Sequence, residues 1–292
     1  MKNVCLGTVQ FGLNYGVSNK LGKPQYQDVV NIIKCSFKNN INYFDTAQSY
    51  GDSEIVLGKA FKELGIQSKV NVITKLSPNF KLDNITIDLK KSLSNLGIKN
   101  AWGLMLHRFD KKLINTEFGL IIKQLKKAEL IKHFGVSVYS PDDALLVLKN
   151  PLVDIIQVPF NILDRRLIDN NFFEIANQMQ KKVFIRSVYL QGLLIMSDED
   201  LINKNMSWAI PYLLRLRQFT HDNMIDMKSF ALNAITDKVT NSFVITGVDS
   251  INQLKENISL LNENIPSKQI FEDWWKNLPL YPEKLLNPSL WN

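Results

Sequence analysis

Asp45, Tyr50, Lys75 and His107 supply a carboxylate, a phenol, an amine and an imidazole along one stretch of the chain. Each has a plain structural reading. Asp45 suits a loop or helix cap, Tyr50 a packed loop aromatic, Lys75 a solvated strand end and His107 a satisfied structural imidazole. Gathered in one cleft, the same four make a proton-transfer set. A free phenol, with a pKa of about 10, is a reluctant acid near neutrality. A neighbouring ammonium favours the phenolate and lowers that pKa. Lys75 also supports a second chemistry, in which a pocketed amine attacks a carbonyl to form a Schiff base.

These residues fall at the ends of short apolar runs that alternate with helical patterns. Strands are expected at Val4–Thr8, Asn42–Asp45, Val70–Thr74, Trp102–Leu106, His133–Val138, Ile155–Val158, Val183–Ser187 and Ser242–Thr246. Helical spacing of apolar residues is read at Gln27–Asn39, Ser53–Leu64, Ile85–Leu96, Thr116–Ala128, Pro141–Leu148, Phe172–Gln180, Met227–Thr236 and Ile251–Leu261. Ser53 is read as an N-cap, Gly97 as a C′ residue and Pro141 as N1. The stretch 197–222 reads as less regular.

Eight strands, each followed by helical sequence, imply a parallel sheet. Short strands of mostly apolar residues suit burial on both faces. The first turn, Thr8-Val9-Gln10-Phe11-Gly12, does not supply the GxGxxG of an open dinucleotide-binding sheet. The fold class is therefore read as α/β, a (β/α)8 TIM barrel in a single domain. The domain spans 1–292, with 262–292 as a tail packing on the barrel. The 292 residues match the roughly 250 that such a barrel needs. Active sites of these barrels lie at the C-terminal strand ends. Asp45, Lys75 and His107 sit there, and Tyr50 follows in the next loop.

The chain is 45% hydrophobic and 22% charged, ordinary for a soluble globular protein. The formal charge of +7 helps attract a phosphorylated cofactor or anionic substrate, or simply reflects a Lys- and Asn-rich chain. No compact Lys/Arg run suggests nucleic acid; Lys123, Lys126, Lys127 and Lys132 have the spacing of a solvated helix face. Two cysteines, Cys5 and Cys35, make no disulfide framework, so a reducing, cytoplasmic setting is expected. Neither a leader-like segment nor a membrane-spanning run is read.

The segment Tyr43-Phe44-Asp45-Thr46-Ala47-Gln48-Ser49-Tyr50-Gly51 resembles the aldo-keto reductase signature. Glu54 and Leu57-Gly58 follow as in that family. Val72-Ile73-Thr74-Lys75 and Leu104-Met105-Leu106-His107 resemble the strands that carry its lysine and histidine. The likeness runs from Leu6-Gly7-Thr8 to Glu256-Asn257. It implies reduction of a small carbonyl compound by a nicotinamide cofactor, with Tyr50 as general acid, Lys75 tuning it, Asp45 holding Lys75, and His107 orienting the carbonyl oxygen.

The resemblance also implies a cofactor site. Gly7 and Thr8 would line it. Ser137 and Gln157 would hold the carboxamide, although Val138 stands where the family commonly has Asn. Arg186 and Ser187 follow the seventh strand; Arg186 stands where many members carry an aromatic residue. It would stack on the nicotinamide, or bind pyrophosphate or an acidic substrate. Gln191, Gly192 and Leu193 resemble the loop around the pyrophosphate. Gly247, Asp249, Gln253, Glu256 and Asn257 match positions near the adenosine. NADP(H) is the family default. Asp249, where many relatives place a basic residue, makes NAD(H) a serious competitor.

Polar residues Gln10, Asn14, Gln48, Arg108 and Tyr189 are candidates for substrate contact, suiting a sugar-like or acidic carbonyl compound. Phe11, Tyr15, Phe109, Phe160, Trp274 and Trp275 are read as pocket walls or as core. A monomer or weak homo-oligomer is expected. The rival readings are a Schiff-base lyase using Lys75 and a non-catalytic barrel that binds a nicotinamide cofactor as a sensor or accessory subunit.

Overall fold

The computed structural model describes residues 3–111, 115–239, 241–263 and 268–291. Parts of the expected tail, 264–267 and 292, lie outside the described residues. The first half of the chain runs β1 (Val4–Gly7), α1 (Val9–Gly12), α2 (Tyr26–Lys38), β2 (Tyr43–Asp45), α3 (Ser53–Leu64), β3 (Asn71–Leu76), α4 (Ile85–Leu96), β4 (Ala101–Leu106) and α5 (Thr116–Lys127). There follow β5 (Ile131–Ser137), α6 (Pro141–Leu148), β6 (Ile155–Pro159), α7 (Arg166–Asp169), α8 (Phe172–Gln178) and β7 (Lys182–Arg186). The last part holds α9 (Asp198–Asn203), α10 (Ile210–Asp222), α11 (Met227–Lys238), β8 (Phe243–Gly247), α12 (Ile251–Asn262), α13 (Lys268–Asn277) and α14 (Glu283–Leu286).

The eight strands form a closed parallel barrel in sequence order, the (β/α)8 architecture expected from the alternation. Closure comes from β1 against β8, with Val4 opposite Val244 and Gly7 opposite Gly247. Side chains alternate faces along a strand, and that period of two places the chemistry. At the N-terminal end Tyr43, Trp102, Phe184 and Phe243 fill the barrel, Phe184 and Phe243 stacking at 4.5 Å. Cys5, Ile73, Met105, Ile155 and Ile245 continue this apolar plug. Two residues beyond Tyr43, Ile73, Ile155 and Phe184 come Asp45, Lys75, Gln157 and Arg186. Gly135 leaves room for the plug: a Cβ there would lie 2.6 Å from Ile155 Cβ and 2.7 Å from its carbonyl oxygen.

Helices bury their apolar stripes on the outside of the barrel. Asn115, Ser140, Asp226 and Ser250 accept a backbone N–H at the starts of α5, α6, α11 and α12, as N-cap side chains do. Gly65 and Gly97 end α3 and α4 in the left-handed region. The expected cap at Ser53 is corrected. Asp52 precedes α3 without a side-chain cap, and the Ser53 hydroxyl turns inward to the Thr8 carbonyl (2.9 Å). The stretch 197–222 is more regular than its sequence suggests, since it forms α9 and the 13-residue α10.

In the tail, α13 buries Phe271, Trp274 and Trp275. Trp274 Nε1 donates to the Ile162 carbonyl at 2.8 Å, and Trp275 stacks on Phe160 at 5.6 Å. Phe11, Phe160, Trp274 and Trp275 are thus core, where their wall role was one expectation. Among the described residues no helix is long and apolar enough to cross a membrane.

Candidate active site

Three neighbouring strands, β2, β3 and β4, bring the titratable set together. Lys75, on the inner face of β3, is 0% exposed, and Asp45, at the end of β2, is 4% exposed. Lys75 Nζ donates to both Asp45 carboxylate oxygens at 2.7 Å and to the Thr46 carbonyl at 3.1 Å. The Tyr50 hydroxyl lies 3.5 Å from the same nitrogen. The Tyr50 ring meets His107 edge-on, 5.6 Å between centroids. Ser49 Oγ is 3.0 Å from His107 Nδ1 and so fixes the imidazole. The loop carrying Tyr50 rests on Gly12, where a Cβ would lie 1.8 Å from the Tyr50 carbonyl oxygen. Only a residue with no side chain permits that approach.

Thr8, Thr46 and Ser53 lock the base of this loop through mutual hydroxyl contacts of 3.0 and 3.1 Å. Glu54, which the sequence marks only by resemblance, is buried and accepts from Thr74 Oγ1 at 2.6 Å. It ties α3 to β3, the strand that holds Lys75.

The electrostatics differ in one respect from the sequence argument. Burial raises the Tyr50 pKa above 10.0, and Lys75, which pulls the other way, does not overcome it. Burial works against the Lys75 charge, but Asp45 and Tyr50 outweigh it and the ammonium is held above its ordinary pKa. His107 is pushed down to about 4, first by burial and then by Lys75, Arg186 and Arg108. Near neutrality the set is therefore a protonated phenol, a charged lysine and a neutral imidazole.

A groove opens from this floor toward the ends of β7, β8 and β1. Its lining includes Gly7, Thr8, Gln157, Arg186, Ser187, Gln191, Gly192, Gly247, Asp249, Gln253, Glu256 and Asn257, together with Asp45 and Tyr50. The groove carries marks of a polar ligand. Gln10 Oε1 and Thr246 Oγ1 are buried without a hydrogen-bond partner among the described residues, and both residues line it. Buried polar atoms are normally satisfied. At Gly247 a Cβ would lie 2.5 Å from Gln10 Nε2, so the Gln10 amide packs directly over the glycine at the groove floor. These features fit a nicotinamide dinucleotide.

Other expected residues are placed elsewhere. Ser137 and Leu193 are buried outside the lining; the Leu193 side chain belongs to the helical core. Gln157 lines the groove, yet its Nε2 donates to Asp45 Oδ1 at 2.8 Å, so one arm of the amide holds the carboxylate. Gln48 is turned away: its Nε2 donates to the Asp88 carbonyl and Ser92 Oγ, and its Oε1 accepts from Ser77 N–H. Asn14 also lies outside, its Oδ1 accepting from Lys23 N–H at 2.8 Å. Gln10 and Tyr189 do line the groove, but Tyr189 lies beside Asn257 (3.4 Å) rather than beside Tyr50. Arg108 is exposed, next to His107, with its guanidinium 5.3 Å from the Tyr139 ring centroid.

Sequence reasoning missed a strap. The loop after α1 crosses the groove: Ser18 N–H reaches the Gln191 carbonyl at 3.5 Å, and Asn19 Nδ2 donates to Asp249 Oδ1 at 3.3 Å. The signal available was a polar loop bracketed by Gly16 and Gly22, both of positive φ. It also missed Tyr139, against which Arg186 packs at 4.4 Å, and Lys228, a lining residue paired with Glu256 at 2.7 Å.

The sequence model of the Aldo/keto reductase family matches residues 3–272. A NADH-specific methylglyoxal reductase of Escherichia coli is 24% identical over 310 residues, covering 91% of this chain and 95% of that protein. A probable aldo-keto reductase of Glycine max is 29% identical over 140 residues, 44% of this chain and 40% of that protein. Among solved structures, aldo-keto reductase AKR11C1 of Bacillus halodurans superposes with a TM-score of 0.75 at 19% identity, covering 97% of this chain and 95% of that one. An aldo/keto reductase of Klebsiella pneumoniae, in complex with NADP and acetate, gives 0.72 at 18% identity, with 95% and 91% covered. At these identities the superpositions speak for the fold, and the sequence match over most of the chain speaks for descent. This chain belongs to the aldo/keto reductase family of oxidoreductases.

Proposed function

We propose that the chain reduces an aldehyde or ketone to an alcohol with a reduced nicotinamide cofactor, Tyr50 giving the proton. The observation that carries this is Lys75 Nζ, held 2.7 Å from each oxygen of Asp45 and 3.5 Å from the Tyr50 hydroxyl on the groove floor. When bound, the cofactor supplies hydride to the carbonyl carbon. The chain's residues do the rest. With the Ser49 hydroxyl donating to Nδ1, the neutral His107 presents a protonated Nε2 to the carbonyl oxygen. Tyr50 gives its proton to that oxygen as negative charge develops. Lys75 stabilises the phenolate left behind, so its effect is felt in the transition state more than in the resting enzyme. Asp45 keeps Lys75 charged, and Gln157 fixes Asp45.

A Schiff-base role for Lys75 fits less well. The amine must lose its proton to attack, and Asp45 holds it charged.

The polar edge of the groove favours NAD(H). Asp249 is half-buried among lining residues, and burial raises its pKa. Lys228, a cation of the groove, is already bound to Glu256. A 2′-phosphate would meet the carboxylate, whereas a ribose hydroxyl can donate to it. Relatives of both kinds exist, an NADH-specific E. coli reductase and a K. pneumoniae structure with NADP, so the preference rests on Asp249 itself. The test is a cofactor-oxidation screen over aldehydes, keto sugars and keto acids, with NADH and NADPH compared. Turnover with NADH, and a gain for NADPH in Asp249→Ala, are expected. A strong NADPH preference that survives Asp249→Ala removes the role given to Asp249. Cofactor binding without turnover of any carbonyl compound supports an accessory barrel instead.

A further inference from the structure

We infer that the carbonyl substrate carries an anionic group, a carboxylate or phosphate, which the guanidiniums of Arg186 and Arg108 receive beside Tyr139. This rests on the carbonyl-reductase reading above and narrows it. Arg186 ends β7 on the inner face and lines the same cavity as Tyr50. Arg108 follows His107 directly in sequence. Both guanidiniums pack on one aromatic ring: Arg186 at 4.4 Å and Arg108 at 5.3 Å from the Tyr139 centroid. The ring gathers two like charges near His107, whose own ring meets that of Tyr50.

Neither charge is neutralised by a described residue. Among the described residues no carboxylate forms an ion pair with Arg186 or Arg108, whereas Arg165, Arg166 and Arg217 each pair with an aspartate. Arg186 is half-buried; its Nη2 donates to the Val138 carbonyl at 3.1 Å and its Nη1 reaches Ser187 Oγ at 3.4 Å. A guanidinium has five N–H donors, so donors remain. Lys75 does not add to the excess, because Asp45 cancels it. What remains beside His107 is a doubly cationic wall, where both arginines disfavour the imidazolium. A partly buried cation without a counter-charge is unfavourable to maintain. Carboxylates and phosphates are the groups whose geometry a guanidinium matches with two hydrogen bonds.

The dinucleotide does not account for both arginines. Arg108 is exposed on the β4 side and outside the groove lining, and the groove runs toward Gly247, Asp249 and Gln253 after β8. Arg186 lines the groove itself, while Arg108 carries the positive charge on to the His107 side, where a substrate must stand to reach both Tyr50 and His107. Val138, the departure from the family's Asn, offers its backbone carbonyl to Arg186 and so helps fix the guanidinium. The chemistry is unchanged: the carbonyl carbon gains hydride, the oxygen gains the Tyr50 proton, the cofactor is oxidised, and the anionic group only binds.

The experiment measures kcat/KM for two matched pairs, butanal against 4-oxobutanoate and glyceraldehyde against glyceraldehyde 3-phosphate. The wild-type protein is expected to favour the anionic member of at least one pair on the order of tenfold to a hundredfold, as charge-assisted hydrogen bonds allow. The favoured pair identifies carboxylate or phosphate. In Arg186→Gln and in Arg108→Gln the anionic-to-neutral ratio should fall toward one, through KM more than kcat. Added salt should lower the wild-type ratio too, which tests the wall without any substitution. Equal or better use of the neutral members overturns the inference and leaves carbonyl reduction standing. An unchanged ratio in both variants also overturns it, as does loss in Arg186→Gln that appears equally in both members and in cofactor affinity. Turnover of neither member of either pair overturns this inference, and when the wider screen of keto sugars and keto acids also gives none, the carbonyl-reductase reading falls with it.

Discussion

Removing the Asp45 carboxylate should destabilise the barrel, and removing Lys75 as well should restore most of what is lost. The pair is buried, with side-chain exposures of 1% for Lys75 and 6% for Asp45. In Asp45→Ala the ammonium keeps only the Thr46 carbonyl and the distant Tyr50 hydroxyl as partners. Breaking one side of such a pair costs about 3–5 kcal/mol, because a charge stays buried without its partner. For a chain of this size that corresponds to a fall in Tm of roughly 5–15 °C. Lys75→Met leaves Asp45 with Gln157 Nε2 as a side-chain donor, and a loss of similar order is expected. Replacing both ions by apolar groups is often close to neutral, so the double variant should lie well above the sum of the singles. Equilibrium urea unfolding, read by the fluorescence of the five tryptophans, gives the coupling energy. An Asp45→Ala loss below about 1 kcal/mol, or single losses that simply add, would refute the electrostatic reasoning.

The pH profile of kcat/KM offers a second check. The acid must hold its proton to react, so activity is lost as pH rises through the Tyr50 pKa, which burial holds above 10.0. His107 gains its proton only as pH falls toward about 4. The profile should therefore be flat from about pH 5 to 9, and a limb inside that window contradicts these assignments. The strap gives a third prediction. Gly192 has φ of 97°, and a Cβ there would lie 1.8 Å from Ser18 Oγ. Gly192→Ala should push the strap off and weaken cofactor binding about tenfold, given about 1–3 kcal/mol of backbone strain. An unchanged cofactor Kd by fluorescence titration would show that the strap does not help retain the dinucleotide.

The parts of this molecule governed by a period were legible in the sequence. Apolar runs alternating with helical spacing put Asp45, Lys75 and His107 at the ends of strands, and the folded barrel then turns Asp45 and Lys75 to its inner face. Helical spacing gave the outer layer. Residues outside any period were harder. Gln48 sits two positions before Tyr50, yet its amide braces β3 and α4 because the loop doubles back over them. Nothing local announces Asn19 on Asp249, a contact across 230 residues. Trp274 and Trp275 read equally as pocket wall or core, and the amphipathic face of α13 decides for core. α10 escaped notice because it buries little, Leu213, Leu216 and Thr220, and so leaves a weak apolar pattern. The ammonium beside Tyr50 was legible, while the burial that outweighs it was a property of the folded cleft.

The most direct test replaces one oxygen. Tyr50→Phe removes the hydroxyl 3.5 Å from Lys75 Nζ and leaves the ring against His107. Single-turnover carbonyl reduction by this variant should fall at least a hundredfold, the usual scale for a lost general acid, while cofactor Kd stays close to that of the parent protein. Reduction at the parent rate with cofactor still bound would mean that the proton comes from elsewhere.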